Sequence, residues 1–155
     1  MIKLLYALIA VAIAIQFIRP DFKNPKVDET VTLQADTKVM DVLKPSCYDC
    51  HSNETKYPWY SHISPVSWMM EDHINDGRKA LNFSEWANMD PAVKTKRLKR
   101  AIQLLDLGTM PKTSYMLMHK EADLTKDQKE TLKQFFEAEM KKLPNQPAYM
   151  YNDFR

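Results

Sequence analysis

Cys47 and Cys50 are the only cysteines in this chain of 155 residues, and His51 directly follows the second one. The spacing C-x-x-C-H is the attachment motif of haem c. The two thiols add across the vinyl groups of the porphyrin, which fixes the ring against this segment. The adjacent histidine is carried beneath the iron, where a ring nitrogen becomes an axial ligand. The motif therefore predicts one covalent haem c, held by Cys47, Cys50 and His51, with the fold built around it.

Two other kinds of site can use the same pair of cysteines. A thioredoxin-like redox pair is expected within a βαβ unit, and the surrounding sequence has no such pattern. A zinc site needs a fourth ligand, and the sequence has neither a second C-x-x-C pair nor an H-x-x-H pair to supply it. A thiol redox or metal-binding module is therefore the weaker alternative.

Helical periodicity predicts an all-α domain. Glycine is scarce, with two residues, while proline occurs nine times, and this balance favours helices joined by proline-stopped turns. Pro45 is expected to end the first helix of the domain, and Gly108 the third. The predicted helix starts are capping residues or prolines, namely Asp36 or Thr37, Pro65, Ser84 or Asp90, and Thr125 with Gln128. The side chains expected to face inward include Val39, Val42, Leu43, Ile74, Leu98, Ile102, Leu105, Leu132, Phe135, Phe136 and Met140.

An apolar run over residues 2–18 is interrupted only by Lys3, Tyr6 and Gln16. Residues 12–14 fit a signal-cleavage pattern, but they lie inside the run, so an uncleaved membrane anchor is favoured over secretion after cleavage. The run is at the short limit of a spanning helix. We predict a membrane anchor or uncleaved signal at residues 1–19, a linker at 20–34, and a haem domain at 35–155.

The sixth ligand of the iron is expected to be Met110. It follows Gly108 in a loop just past a predicted helix end, where glycine lets the chain turn close to the macrocycle and Pro111 fixes the backbone beyond it. His73 and His119 are the alternatives, and a free sixth position is also open. Several other methionines are expected to be core residues instead, namely Met1, Met69, Met70 and Met140.

Charge gives little sign of an electrostatic partner. The net charge is +2, and removing Lys3 and Arg19 of the N-terminal segment leaves 20 basic and 20 acidic residues. This balance argues against nucleic-acid binding. The basic run from Lys94 to Arg100 alternates with apolar residues and is typical of a solvated helix face, with a docking patch for an acidic redox partner as the alternative.

Aromatic residues follow the cysteine motif closely. Some of them are expected to wall the haem, and an indole or phenol tip to bond a propionate. Arg78 is a candidate to pair with a propionate by charge. The alternative for each aromatic is ordinary packing. The aromatic residues concerned are Tyr57, Trp59, Tyr60, Trp68 and Trp86.

Three parts of the chain resemble the signature of the bacterial haem-binding-domain family. They are Lys44 to Tyr60, Asn82 to Trp86, and Gly108 to Pro111 together with the following Tyr115 and His119. This family consists of small mono-haem c-type cytochromes. The Met-Pro element is also similar to the ligand loop of class I cytochromes c. The resemblance implies a cytochrome c-like helical domain and Met110 as sixth ligand. His73 and His119 both lie within the family's recurring pattern, so bis-histidine ligation stays open.

These observations favour an electron carrier over an enzyme. We expect it on the periplasmic side of the bacterial inner membrane, with redox proteins in or at the membrane as partners and no small-molecule substrate. The alternative is a haem-based sensor or peroxidase-like protein with an open or histidine-ligated sixth site. His73 with Arg78 is the nearest distal pair for peroxide chemistry, while the lack of a second haem motif weakens a di-haem peroxidase.

Overall fold

A computed structural model describes residues 1–144 of the chain. Within these residues the structure is helical and contains no strand, which confirms the all-α prediction. The α-helices are α1 (Ile2–Ala14), α2 (Thr37–Leu43), α3 (Asp49–His51), α4 (Val66–Ala80), α5 (Pro91–Asp106), α6 (Thr113–Met116) and α7 (Lys126–Lys142). A π-helical turn covers Lys44–Tyr48, and 3-10 turns cover Ile15–Phe17, Trp59–His62, Phe83–Glu85 and Lys120–Ala122.

The core lies where α2, α5 and α7 meet. Leu43, Leu98 and Leu132 are at most 1% exposed, and full burial of each such side chain stabilises the fold by about 1.5–3 kcal/mol. Phe83 stacks between the rings of Tyr48 and Phe136, at centroid distances of 5.5 and 6.4 Å. Tyr48 belongs to the C-x-x-C segment, so this aromatic stack anchors that segment to the core.

The predicted helix caps form as the sequence indicates. The Asp36 carboxylate accepts a hydrogen bond from the third backbone N–H after it, and Asp90 caps α5 in the same way. Thr125 and Gln128 form a reciprocal capping box at the start of α7. Ser84 does not start a helix; it is buried in a 3-10 turn, where its hydroxyl accepts a hydrogen bond from a loop N–H.

Pro45 does not end the helical backbone, contrary to prediction. The chain continues from α2 through the π-helical turn into α3. The wider turn accommodates the residue without an N–H, and the Ser46 hydroxyl instead donates to the Val42 carbonyl oxygen at 2.6 Å. Cys47 and Cys50 therefore lie on one continuous helical path.

Three of the four methionines assigned to the core lie elsewhere. Met140 is buried as predicted, but Met1 is fully exposed at the start of α1. Met69 and Met70 line a cavity because the apolar face of α4 is shared between the core and this open space. Periodicity alone does not distinguish a core face from a cavity face.

The N-terminal helix α1 has 13 residues and no buried side chain. Within residues 1–144, no helix combines the length and the apolar character needed to cross a membrane. The residues after α1 are bonded to the start of α4. The Gln16 amide exchanges two hydrogen bonds with the Ser64 backbone, at 2.9 and 3.0 Å, and the Ile18 carbonyl accepts from the Trp68 indole at 2.7 Å.

The stretch predicted as a linker, residues 20–34, contains no regular helix, and its end packs into the domain. Leu33 is 3% exposed and donates its N–H to the Phe83 carbonyl oxygen at 2.8 Å. Val31 accepts from the Ala87 N–H at the same distance. Residues 31–33 are therefore fixed against the segment that follows α4.

Candidate haem-binding site

The His51 ring is hydrogen-bonded to the backbone at the end of α4, at Leu81 and Gly77. Its Nδ1 lies 2.9 Å from the Leu81 carbonyl oxygen, so the N–H of that nitrogen donates to the backbone. Such a hydrogen bond fixes the tautomer and the ring orientation of a metal-ligating histidine. Burial lowers the pKa of His51, which keeps the ring neutral. In this tautomer Nε2 carries the lone pair that a metal ligand requires.

Gly77 allows α4 to pack directly against the cysteine segment. A Cβ at this position would lie 2.3 Å from the Cys50 carbonyl oxygen, well inside any van der Waals contact. Only glycine permits this approach. Since α4 leads directly to Leu81, the same contact brings the acceptor for His51 into place.

A cavity of about 480 Å³ opens beside the two cysteines. This volume falls within the roughly 300–1,000 Å³ of pockets that hold small molecules and cofactors. The cavity brings together five of the six residues predicted for the haem site, and His119 is not among its lining residues. The five are Cys47, Cys50, His51, His73 and Met110.

Met110 reaches the cavity from a constrained loop. Gly108 has a φ of +65° and ends α5, and the Thr109 N–H donates to the Leu104 carbonyl oxygen at 3.0 Å. Pro111, directly after Met110, is buried. Three other thioethers also line the cavity, those of Met69, Met70 and Met118.

His119 has partners at both ring nitrogens. Nε2 lies 2.6 Å from the Tyr60 hydroxyl, and Nδ1 lies 3.1 Å from Glu121 Oε1. One tautomer satisfies both contacts, with Nδ1–H donating to the carboxylate and Nε2 accepting from the phenol. His119 therefore has no free lone pair directed at the cavity.

Arg78 is directed away from the cavity. Its guanidinium donates to the Ser52 carbonyl oxygen at 2.8 Å, to Asn24 Oδ1 at 2.7 Å and to Thr55 Oγ1 at 3.0 Å. The structure thus does not place Arg78 beside His73 as a distal pair. The lysine among the cavity-lining residues is Lys112.

Of the five aromatic residues predicted to wall the haem, Tyr60 lines the cavity. Tyr57 bonds to Asn24, and the Trp68 indole donates to the N-terminal segment. Trp59 is 70% exposed, and Trp86 packs against the core under the Lys94 ammonium. Proximity in sequence to the cysteines did not identify the lining residues.

The two thiols are poorly suited to redox exchange. Burial raises the pKa of Cys47 and of Cys50 to about 11 each. Thiol–disulfide chemistry needs a thiolate, which low-pKa cysteines supply near neutral pH. Within residues 1–144 no cluster of three or more histidine, cysteine and acidic side chains forms a metal site. The raised pKa values of the two thiols argue against the thiol redox alternative.

Sequence reasoning missed two residues that shape this site. Gly77 was not singled out, although a glycine inside a helical pattern signals a close approach. Tyr115 lines the cavity and bonds to Asp49, the residue before Cys50. Tyr115 belonged to the family-like pattern, but no local signal connects it with Asp49, since 66 positions separate the two.

These residues fit a haem. A cavity next to two thiols, a histidine whose tautomer leaves the lone pair on Nε2, and thioether and imidazole side chains match the donors that hold haem iron. The sequence model of the haem-binding domain family matches residues 10–138, which is most of the chain. The chain belongs to this family. Membership in the haem-binding domain family supports haem as the cofactor.

No curated protein matches this haem-binding domain, and no solved structure does. The family match begins within α1 and ends within α7, so it includes the cavity and all of its lining residues.

Proposed function

We propose that the protein is a mono-haem c-type cytochrome that transfers electrons. The observation that carries the proposal is the arrangement of His51 in the C-x-x-C-H segment, with Nδ1 bonded to the Leu81 carbonyl and both cysteines at the same cavity. When bound, haem c supplies an iron that accepts and releases one electron. No substrate is transformed in this role.

Different residues of the chain attach the porphyrin and bind the iron. Cys47 and Cys50 carry the thioether bonds, and His51 is the proximal ligand. Met110 is the sixth ligand, which favours the ferrous state and raises the reduction potential. The support for Met110 is its constrained loop, because a fixed backbone loses little entropy when its side chain binds.

His73 is the runner-up for the sixth position. It lines the cavity, and burial together with the nearby Lys112 lowers its pKa, so the ring is neutral and able to act as a ligand. A histidine-ligated iron would have a lower potential than a methionine-ligated one. The engaged nitrogens of His119 argue against it as a ligand.

Mass spectrometry of the intact protein tests covalent attachment. Protein matured with the haem c attachment machinery should carry the mass of one haem, and the Cys47→Ala/Cys50→Ala variant should carry none under denaturing conditions. A matched control is Ser46→Ala, which removes a neighbouring cavity-lining hydroxyl and leaves both thiols. A wild-type protein without added mass would contradict the proposal.

We propose further that residues 1–19 attach the protein to the periplasmic side of the bacterial inner membrane. Apolar side chains of α1 are exposed on all sides, including Leu5, Leu8 and Val11. Lipid is the partner that favours such a surface. The hydrogen bonds of Gln16 and Ile18 to the start of α4 would then hold the haem domain in a fixed orientation rather than on a loose tether.

Flotation of the haem-loaded protein with lipid vesicles tests the attachment. The Leu8→Lys/Val11→Lys variant should float much less than wild type, because each lysine on an inserted face opposes burial in lipid. Val93→Lys, on an exposed part of α5, is the control and should float like wild type. Equal flotation of all three would contradict membrane attachment through α1.

At the membrane, redox proteins would exchange electrons where the cavity meets solvent. Met69 and Met118 line the cavity and are 47% and 58% exposed. Apolar side chains at this edge suit a short-lived contact with another protein, and high local concentration at a membrane can replace tight binding.

A further inference from the structure

Tyr115 connects the two sides of the cavity. It lies on α6, in the segment that follows Met110. Its hydroxyl lies 2.7 Å from Asp49 Oδ2 and 3.2 Å from the Pro45 carbonyl oxygen. Asp49 stands between the two cysteines of the motif. A side chain of the segment carrying the proposed sixth ligand therefore donates to the segment carrying the proximal ligand.

The acceptor of this hydrogen bond is itself fixed. Asp49 Oδ1 accepts from the Lys56 N–H at 3.0 Å, and the Asp49 carbonyl oxygen accepts from the Thr55 hydroxyl at 2.6 Å. Both bonds tie Asp49 to the loop that follows the motif. Oδ2 is thus directed at Tyr115 by contacts that do not involve α6.

The donor is fixed as well. The rings of Tyr115 and His119 stack at a centroid distance of 4.2 Å and an interplanar angle of 13°. His119 is held in turn by Tyr60 and Glu121. Burial and the Asp49 carboxylate raise the pKa of Tyr115, so the hydroxyl keeps the proton that it donates.

We propose that Tyr115 is a positioning residue for the sixth ligand. Its hydrogen bond to Asp49 sets how far the segment of Met110 stands from the segment of His51, and so holds the thioether within reach of the iron. Tyr115 acts through Met110 and is not a ligand. This inference rests on the proposed ligation by Met110.

Tyr115→Phe tests the inference, because it removes the hydroxyl and keeps the stacking ring. In the haem-loaded variant the weak red-end absorption band of methionine-ligated ferric iron should fall. Carbon monoxide should bind the ferrous form about tenfold more tightly or better, the equilibrium equivalent of losing one hydrogen bond to a charged group. Tyr57→Phe removes a hydroxyl bonded to Asn24 outside the cavity lining and should behave like wild type.

Asp49→Asn approaches the same bond from the other side. The two carboxylate oxygens of Asp49 accept from Tyr115 and from the Lys56 N–H, whereas asparagine has one amide oxygen that can still accept from one of them. Carbon monoxide affinity should therefore rise by less than in Tyr115→Phe. The double variant should add little to Tyr115→Phe, because the hydrogen bond between Tyr115 and Asp49 is already absent in Tyr115→Phe. A purely structural role would lower thermal stability and leave the band and carbon monoxide affinity unchanged.

The outcomes separate the inference from the proposed function. A wild type with the red-end band and a Tyr115→Phe variant with the same band and carbon monoxide affinity would overturn the positioning role and leave Met110 as ligand. A wild type that lacks the band and binds carbon monoxide readily would overturn both. Full additivity of the two substitutions would also contradict the inference.

Discussion

The two sides of the cavity are held by different means. The proximal side is one continuous helical path, with Tyr48 in the aromatic stack of the core, His51 bonded to Leu81, and Gly77 in backbone contact with Cys50. The distal side is a loop and one short helix, and Tyr115 bonds it to the proximal segment. The proximal geometry is built into the core, whereas the distal geometry depends on a few part-buried contacts.

This contrast has a consequence for function. Covalent attachment and the proximal ligand need a rigid frame, and close packing supplies it. The sixth ligand tunes potential and reactivity, and a loop held by few contacts can alter both with little cost to the fold. Changes on the proximal side should therefore affect folding and haem content, and changes on the distal side should affect spectra and ligand binding.

The largest expected effect is that of Gly77→Ala on the proximal side. The new Cβ would meet the Cys50 carbonyl oxygen at 2.3 Å, so α4 or the cysteine segment must move. Overpacking costs about 1–3 kcal/mol and occasionally more, and a clash with backbone atoms belongs at or above the upper end of that range. The better helix propensity of alanine returns at most about 1 kcal/mol. Chemical denaturation should show a lower free energy of unfolding, with less haem per chain.

The control for this change is Asn75→Ala, an exposed position on the same helix. It should change the free energy of unfolding by about 0.5 kcal/mol or less. If Gly77→Ala were as stable and as fully loaded as this control, the close packing of α4 on Cys50 would not be a feature of the protein in solution.

The next effect is that of Met110→Ala on the distal side. Removing the thioether should lower the reduction potential and let carbon monoxide bind the ferrous iron, while the haem content stays at one per chain. His73→Ala is the matched variant at the same cavity and should leave potential and carbon monoxide affinity close to wild type. Redox titration measures the reduction potential, and visible spectra measure carbon monoxide binding. If His73→Ala changed both properties and Met110→Ala changed neither, the sixth ligand would be His73.

The smallest effect is expected for Gly108→Ala. Nothing lies within 4 Å of the Cβ, so the only cost is the positive φ of +65°, about 1–2 kcal/mol for a residue other than glycine. The two glycines of the chain thus have different roles. Gly77 is needed because a side chain would clash with Cys50, and Gly108 is needed because its φ is positive. Gly108→Asn should be tolerated better than Gly108→Ala, since asparagine adopts this conformation more readily. Thermal melts measure the melting temperature of both variants. An equal decrease in the two would contradict the argument from backbone conformation.

The same contrast explains what could be predicted from the sequence. Helix starts at Asp36, Asp90 and Thr125 depend on neighbours within three residues, and these predictions were confirmed. The C-x-x-C-H motif is likewise local. Pro45 misled because a π-helical turn accommodates it, an adjustment that no propensity rule indicates.

Long-range contacts account for the rest. Trp68 was a candidate for the haem wall because it follows the motif, and Arg78 was a candidate for a propionate because of its charge. In the folded chain Trp68 donates to the Ile18 carbonyl oxygen, and Arg78 donates to Asn24, Ser52 and Thr55. Tyr115 and Asp49 are separated in sequence by α4 and α5, and only the folded chain brings them together. Such contacts between distant positions leave no pattern in a single sequence.

The visible absorption spectrum of the haem-loaded protein, oxidised and then reduced under carbon monoxide, tests ligation of the iron by Met110. A Met110-ligated electron carrier should show a low-spin haem c with the weak red-end band of methionine-ligated ferric iron, and carbon monoxide should leave its ferrous spectrum unchanged. A high-spin spectrum, or ready binding of carbon monoxide by the wild type, would contradict the Met110-ligated electron carrier and favour a sensor or peroxidase-like protein.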